Sequence, residues 1–244
     1  MKKNFVLLFV FMFLSACHVG QLTTLYTDKT SYEKDGIRYD ANNKPITGVY
    51  HLYSKTMRLK EERHYVNGKI DGLYLVYNNK GKIILNAQYL EGLPHGKVIL
   101  YYDNEKEQEV SYYDKGVLVG SRIFYYENGD ILRKESYKNG KRNGVIEEYF
   151  DTGAVKYSIT FSNGKQNGPA RFYTKANNLV SYSEHVKGKC NGETQSFYLN
   201  GKPKVLAKCR NGKLHGKAKY FNKKGILTSV VTYDKGEEIS NIKF

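Results

Sequence analysis

Apolar and polar positions in this chain alternate in short blocks. Segments of about six to eight residues rich in Tyr, Val, Ile, Phe and Thr are separated by polar stretches that carry glycine. Such segments suit pleated strands, and they are too short and too often broken by glycine to be helices. Residues 137–161 are representative: an Asn-Gly pair, a second glycine four residues on, an apolar and aromatic run, a third glycine, then another apolar run. The pattern predicts an all-β chain built of β-hairpins.

The blocks are periodic. Glycine recurs every 24 residues at Gly68, Gly92, Gly116, Gly140, Gly164, Gly188, Gly212 and Gly236, with no insertion or deletion. A second column follows at Gly72, Gly96, Gly120, Gly144, Gly168, Gly192 and Gly216, with Gly48 one period earlier. A third comprises Gly81, Gly129, Gly153, Gly201 and Gly225, with Glu105 and Asn177 as exceptions. Between the second and third columns runs an aromatic column: Tyr53, Tyr77, Tyr101, Tyr125, Tyr149, Tyr173, Phe197 and Phe221. A period kept so strictly marks stacked units whose neighbours supply the burial that one unit lacks.

Asn-Gly is a strong hairpin signal because both residues accept positive φ, and it occurs at Asn67-Gly68, Asn139-Gly140, Asn163-Gly164 and Asn211-Gly212. It recurs at the opposite end of the unit in Asn128-Gly129 and Asn200-Gly201. Gly140 and Gly144 are expected to frame one polar turn. Sequential strands usually lie side by side, so the hairpins form an elongated, single-layer antiparallel meander, twisted or coiled, with the aromatic column as a buried ladder.

The array starts at residue 65 and runs to 240. Residues 41–64 keep Gly48 and Tyr53 in frame but carry Lys44 and Met57 where glycine is expected, as a degenerate capping repeat would. Residues 18–40 show no frame and are expected to be a tether. Residues 1–17 read as an export signal: Lys2 and Lys3 precede an apolar stretch too short to span a bilayer, and Leu14-Ser15-Ala16-Cys17 resembles the lipobox of bacterial lipoproteins. Cys17 would then carry the lipid that anchors the exported chain in the cell envelope, facing the periplasm or the surface. Its acyl chains would hold it there without any spanning segment.

The formal net charge is +15. Removing the signal takes two lysines and no acidic residue, so the exported part stays strongly basic. That balance fits anionic lipid, acidic glycan or an acidic protein, and export makes nucleic acid the partner least expected. Lysine follows the first glycine at Lys69, Lys141, Lys165, Lys189 and Lys213, with Leu93, Val117 and Glu237 breaking the row. On a meander these lysines line one long edge as a candidate anion-binding row. The other reading is simply soluble residues at exposed turns, and edge lysines also discourage sheet association. Cys190 and Cys209 are a candidate disulfide: with a two-residue turn at Asn200-Gly201, Cys209 falls opposite Gly192, two residues from Cys190. The alternative is two small apolar residues filling their columns.

No catalytic constellation is present. His95 and His215 occupy a column otherwise held by Asp71, Asn143, Asn167 and Asn191, where short polar residues can bond to the local backbone of a turn. The remaining histidines show no ligand spacing, no Cys/His cluster suggests a metal, and no glycine-lysine pair sits in a phosphate-loop frame. Glu147 and Glu148 are adjacent on a strand and point to opposite faces. The chain reads as a non-enzyme that needs no cofactor.

The unit Y-x-N-G-K-x-x-G-x-x-x-x-Y-x-x-x-G resembles the variant MORN repeat of many bacterial proteins, including YwqK-type antitoxins. The resemblance spans residues 41–240. It implies an extended single-sheet array and a role in membrane association, scaffolding or toxin neutralisation. The lipobox departs from a cytoplasmic antitoxin, whereas an immunity protein held at the envelope is compatible with both features.

Overall fold

The structure, a computed structural model, describes residues 24–244. The signal segment and Cys17 lie outside the described residues. Twenty strands form one long, open, mostly antiparallel sheet with no helix among the described residues. Strand β1 (Leu25–Thr27) runs parallel to β4 (Gly48–Tyr53), with Leu25 opposite Val49. From β4 onward the strands pair antiparallel in chain order, β5 (Leu59–Val66), β6 (Lys69–Tyr77) and so on to Glu237–Lys243, except that the short segments Lys141–Arg142 and Lys213–Leu214 each share one partner strand with the segment that follows them. Strands β2 (Ser31–Lys34) and β3 (Ile37–Asp40) form a separate hairpin.

The expectation of a strandless tether therefore fails over residues 25–40. These three strands are only three or four residues long, too short to display a period, and they close the first edge of the sheet. The Arg38 guanidinium lies 4.1 Å from the Tyr50 ring centroid and 5.9 Å from that of Tyr65. Ile46, Tyr50 and Tyr65 beneath it form a buried apolar cluster, with Tyr26, Leu52 and Ile70 packed around it.

Two turn types alternate along the chain. At one edge Asn67 (φ 48°) and Gly68 (φ 77°) both take positive φ, as a two-residue type I′ turn requires, and every equivalent pair in the array does the same. At the other edge only the third-column residue is left-handed. The Tyr198 carbonyl accepts from the Gly201 N–H at 2.9 Å and the Tyr198 N–H donates to Lys202 O at 2.9 Å, which describes a type I turn closed by a bulge residue. Asn200-Gly201 is thus part of a three-residue loop, not the two-residue turn expected. Glu105, Asn177 and Met57 adopt the same left-handed conformation as the glycines they replace.

The second glycine column is not part of any turn. Gly140 sits in the turn, but Lys141–Arg142 already pairs with Tyr137 and Lys138, and Gly144 begins the next strand segment. In β6 the residues 71–73 stand opposite His64 alone, so Gly72 lies in a bulge. A bulge residue needs positive φ just as a turn residue does, and spacing alone does not separate the two.

Side chains alternate between two faces. One face carries the most buried columns, again at 24-residue spacing: Ala87, Ser111, Glu135, Ala207 and Val231, with Tyr50, Ile146, Ala170 and Ala218 across from them. The aromatic column from Tyr53 to Phe221 lies on the other face, and all eight rings are only half-buried. The buried ladder expected of them is not formed, because nothing covers a single-layer sheet and each ring keeps one side wet.

Candidate binding surface

Both long edges are tied together by bonds between repeats. At the type I′ edge the Gly92 N–H donates to Ile70 O at 2.7 Å, and Gly68, Gly116, Gly140, Gly164, Gly188, Gly212 and Gly236 each repeat that bond to the preceding unit. The polar column reinforces it. Asp71 accepts from the Glu91 N–H at 3.2 Å, Asn143 from Asn163 at 3.3 Å, Asn167 from Lys187 at 3.2 Å, and His95 Nδ1 from Lys115 at 3.4 Å. These side chains bond to the next repeat's turn, twenty residues ahead, and not to their own backbone as expected.

The five lysines of the row, Lys69, Lys141, Lys165, Lys189 and Lys213, are all exposed along this edge. The stems of Lys69, Lys141, Lys189 and Lys213 stack on the following turn. A β-carbon built at Gly92, Gly164 or Gly212 would lie 4.0, 3.7 or 4.0 Å from Cβ of Lys69, Lys141 or Lys189. Leu93 and Val117 occupy the same stacking place against Gly116 and Gly140, which explains why apolar residues can interrupt the row.

The opposite edge has its own ladder. Tyr102, Tyr126 and Tyr198 donate their hydroxyls to the carbonyls of Tyr125, Tyr149 and Phe221, at 2.7, 2.9 and 2.8 Å. Lys82, Lys106 and Lys202 donate Nζ to carbonyls of the next turn, at 3.1, 2.6 and 2.7 Å. Tyr102, Tyr126 and Tyr198 stand one residue past the aromatic column, and their spacing in multiples of 24 is the sign of this ladder in the sequence.

The more buried face carries an ionic network in its central repeats. Glu135, only 2% exposed, accepts from Tyr137 OH at 2.8 Å and lies 3.2 Å from both Arg133 Nε and Arg142 Nη2. Arg122 forks onto Glu109 at 2.8 and 2.9 Å, and the Arg122 and Arg133 guanidinium groups both lie over the Phe124 ring, at 4.7 and 4.3 Å from its centroid. Burial raises the pKa of Glu148, but hydrogen bonds from Lys156 and Tyr157 and the charge of Arg133 outweigh it, and the carboxyl titrates below its ordinary range. Glu147, on the opposite face, binds Tyr149 OH at 2.6 Å.

One histidine cluster has no counterpart in the sequence pattern. The β4–β5 register sets His51 opposite Glu62, and Glu62 holds His51 Nε2 at 3.3 Å and His64 Nε2 at 3.1 Å. Its sign is the hairpin register, not residue spacing. Among the described residues no group of three or more His, Cys, Asp or Glu is arranged to hold a metal ion.

Cys190 and Cys209 form a disulfide with Cα atoms 5.8 Å apart, and Gly192 stands opposite Cys209. Beside it an open depression of about 290 Å³ is lined mostly by small side chains such as Ser181, Ser183, Thr194 and Ala207, together with Tyr182, Gln195 and Leu214, and holds no nucleophile–base pair. The geometry offers an extended surface with open depressions.

An open sheet of stacked hairpins, bonded repeat to repeat along both edges, defines a β-repeat binding or scaffold protein. Residues 118–139, about one period of the array, match the family model described as the MORN repeat variant, which supports a MORN-repeat protein. No curated protein matches the sequence. Among solved structures, a crystal structure of TcdB2-TccC3-Cdc42 is similar at 13% identity over 78% of this chain and 12% of that chain, with a TM-score of 0.23. A Photorhabdus luminescens Tc holotoxin pore is similar at 12% identity over 83% of this chain and 12% of that one, with a TM-score of 0.22. The chain spans about an eighth of the length of these relatives, and at such scores the likeness assigns neither shape nor role.

Proposed function

We propose that the protein is a non-enzymatic binding or scaffold component of a bacterial envelope, anchored by lipid at Cys17, that presents its sheet to a protein or an anionic envelope component. The observation that carries this reading is the pair of hydrogen-bonded edges. They hold an uncovered sheet in fixed register and leave its outward face free for a partner. Stacked repeats commonly serve as extended binding surfaces, and the exposed lysine row at one edge adds attraction for anions.

Affinity capture from native membranes, followed by mass spectrometry, tests it. Recovery of one or more envelope proteins or acidic components supports the scaffold reading. A single toxin recovered in equimolar amount would replace it with the immunity reading, and recovery of nothing above a tagged control would reject both. The anchor is tested separately: Cys17→Ala should release the protein from membranes or stall its maturation, and unchanged retention would defeat the lipoprotein assignment.

A further inference from the structure

Positive charge is unevenly spread along the array. Between Thr194 and Tyr233 the sequence holds nine Lys or Arg residues and no Asp or Glu. All nine side chains are exposed, and none forms an ion pair among the described residues. Elsewhere most arginines are matched to carboxylates, as are Lys80, Lys82, Lys97, Lys156 and Lys175.

These cations are ordered by the sheet. In the strand Pro203–Arg210, Ala207 and Cys209 are buried on one face, so Lys204, Lys208 and Arg210 project from the other. In the neighbouring strand Gly216–Phe221, Ala218 is buried, and Lys217 and Lys219 project from that same outward face. Leu206 pairs with Lys219, which fixes the two rows side by side. Same-face residues lie about 6.7 Å apart along a strand and neighbouring strands about 4.8 Å apart. Lys202, Lys223 and Lys224 continue the band at one edge of the sheet and Lys213 at the other.

The band is two strands wide and has borders. On one side the next strand offers Glu193, opposite Lys208, and beyond it Glu184. On the other side stand neutral Val230 and Thr232, opposite Lys219 and Lys217. A bilayer laid on this face would press on the glutamates as well as the lysines. A single polymer strand running along the band meets cations from edge to edge and is kept off the glutamates by repulsion. Eight of the nine cations are lysines, point charges that suit dispersed anionic groups better than the bidentate phosphate recognition at which arginine excels. The Cys190–Cys209 bridge fastens the band's first strand to its neighbour and belongs to an oxidising compartment, where acidic polysaccharide is a more accessible linear polyanion than nucleic acid.

We infer that the outward face of residues 202–224 is a binding track for a linear acidic polysaccharide. The inference rests on the reading of the protein as a binding surface and names one partner for it.

Binding of the full-length protein to polygalacturonate, with neutral dextran as control, tests the track. Affinity should fall as salt rises, because exposed charges are screened over about 8 Å at physiological ionic strength. Replacing Lys204, Lys208, Lys217 and Lys219 together by glutamine should weaken binding about tenfold or more, since four exposed charge pairings, each modest, are lost together. The same four changed to arginine should retain binding, and Lys165→Gln with Lys189→Gln should change it less than about twofold. Circular dichroism checks that each variant folds. Absence of binding, or equal loss in the turn-row variant, overturns the track. Phosphatidylglycerol vesicles that lose affinity on the fourfold change when the polymer does not would assign the band to membrane, and tighter binding of a single-stranded oligonucleotide would assign it to nucleic acid. A captured protein partner without polymer binding would keep the surface reading and end this one; polymer binding with nothing captured would do the reverse.

Discussion

The Tyr126 hydroxyl donates to the main-chain carbonyl of Tyr149, 2.9 Å away and 23 residues ahead, and so fastens one turn to the next. Tyr102 makes the same bond to the carbonyl of Tyr125, and Tyr198 to that of Phe221, so the contact belongs to the repeat and not to a single pair. Tyr126→Phe keeps the ring and removes only the bond. The expected loss is about 0.5 to 1.5 kcal/mol by urea denaturation, and no measurable loss would mean that water replaces the bond without cost.

Gly68 and Gly153 both adopt left-handed backbone, at φ 77° and 79°, yet their surroundings differ. A β-carbon at Gly153 meets nothing within 4 Å, whereas one at Gly68 would lie 2.8 Å from Arg38 O and 2.5 Å from Ile37 Cγ2. Gly153→Ala should therefore cost only the left-handed penalty, about 1 to 2 kcal/mol. Gly68→Ala should cost more, about 2 to 4 kcal/mol, and loosen the hairpin that closes the first edge. Equal losses in thermal denaturation would show that this hairpin does not depend on its bond from the Arg38 N–H to Gly68 O.

Glu135 is the buried centre of a cationic pair. Glu135→Ala leaves Arg133 and Arg142 without their shared carboxylate, but side-chain exposures of 31% and 46% let both rehydrate. The loss should therefore fall below the usual range for breaking a buried pair, at about 2 to 3 kcal/mol. Glu135→Gln, which can still accept from Tyr137 OH, should cost less. A double-mutant cycle with Arg142→Ala would then give a coupling energy above zero, and additive losses would remove the network from the account.

Much of the fold is legible in the sequence because it rests on local chemistry. The interval from Gly68 to Gly236 reports turns that need positive φ, and the apolar runs between them report strands. The Gly144 column reads as a turn from spacing because a bulge four residues beyond a turn makes the same demand for glycine. Strands β1 to β3 leave no trace because three or four residues carry no period. The surface is harder still to read. Asp71 reaches Glu91 and Tyr126 reaches Tyr149 across twenty or more residues, and such bonds exist only once neighbouring units are in register. The basic band is on view as a run without acidic residues, but Lys204 and Lys219 can be assigned to one face only when the buried positions of Ala207 and Ala218 are known.

Tyrosine ionisation should set the alkaline limit of stability. Burial, and then the hydrogen bond to the Glu147 carboxylate, push Tyr149 up to about 12 from an ordinary 10.0. Burial and the Tyr233 hydroxyl do the same to Tyr220, also to about 12. Burial likewise raises Tyr74, Tyr89 and Tyr157. A raised pKa means that the folded state holds the proton more tightly than the unfolded chain. The associated stability is fully present below about pH 10 and is lost as pH climbs towards about 12. Far-ultraviolet circular dichroism should collapse in that window together with the rise of tyrosinate absorbance. Tyr149→Phe, which has no proton to lose, should make the alkaline decline shallower while lowering stability at neutral pH by about 1 kcal/mol. Tyrosinate appearing near pH 10 without loss of the strand signal would show that these hydroxyls ionise in the folded sheet at no cost.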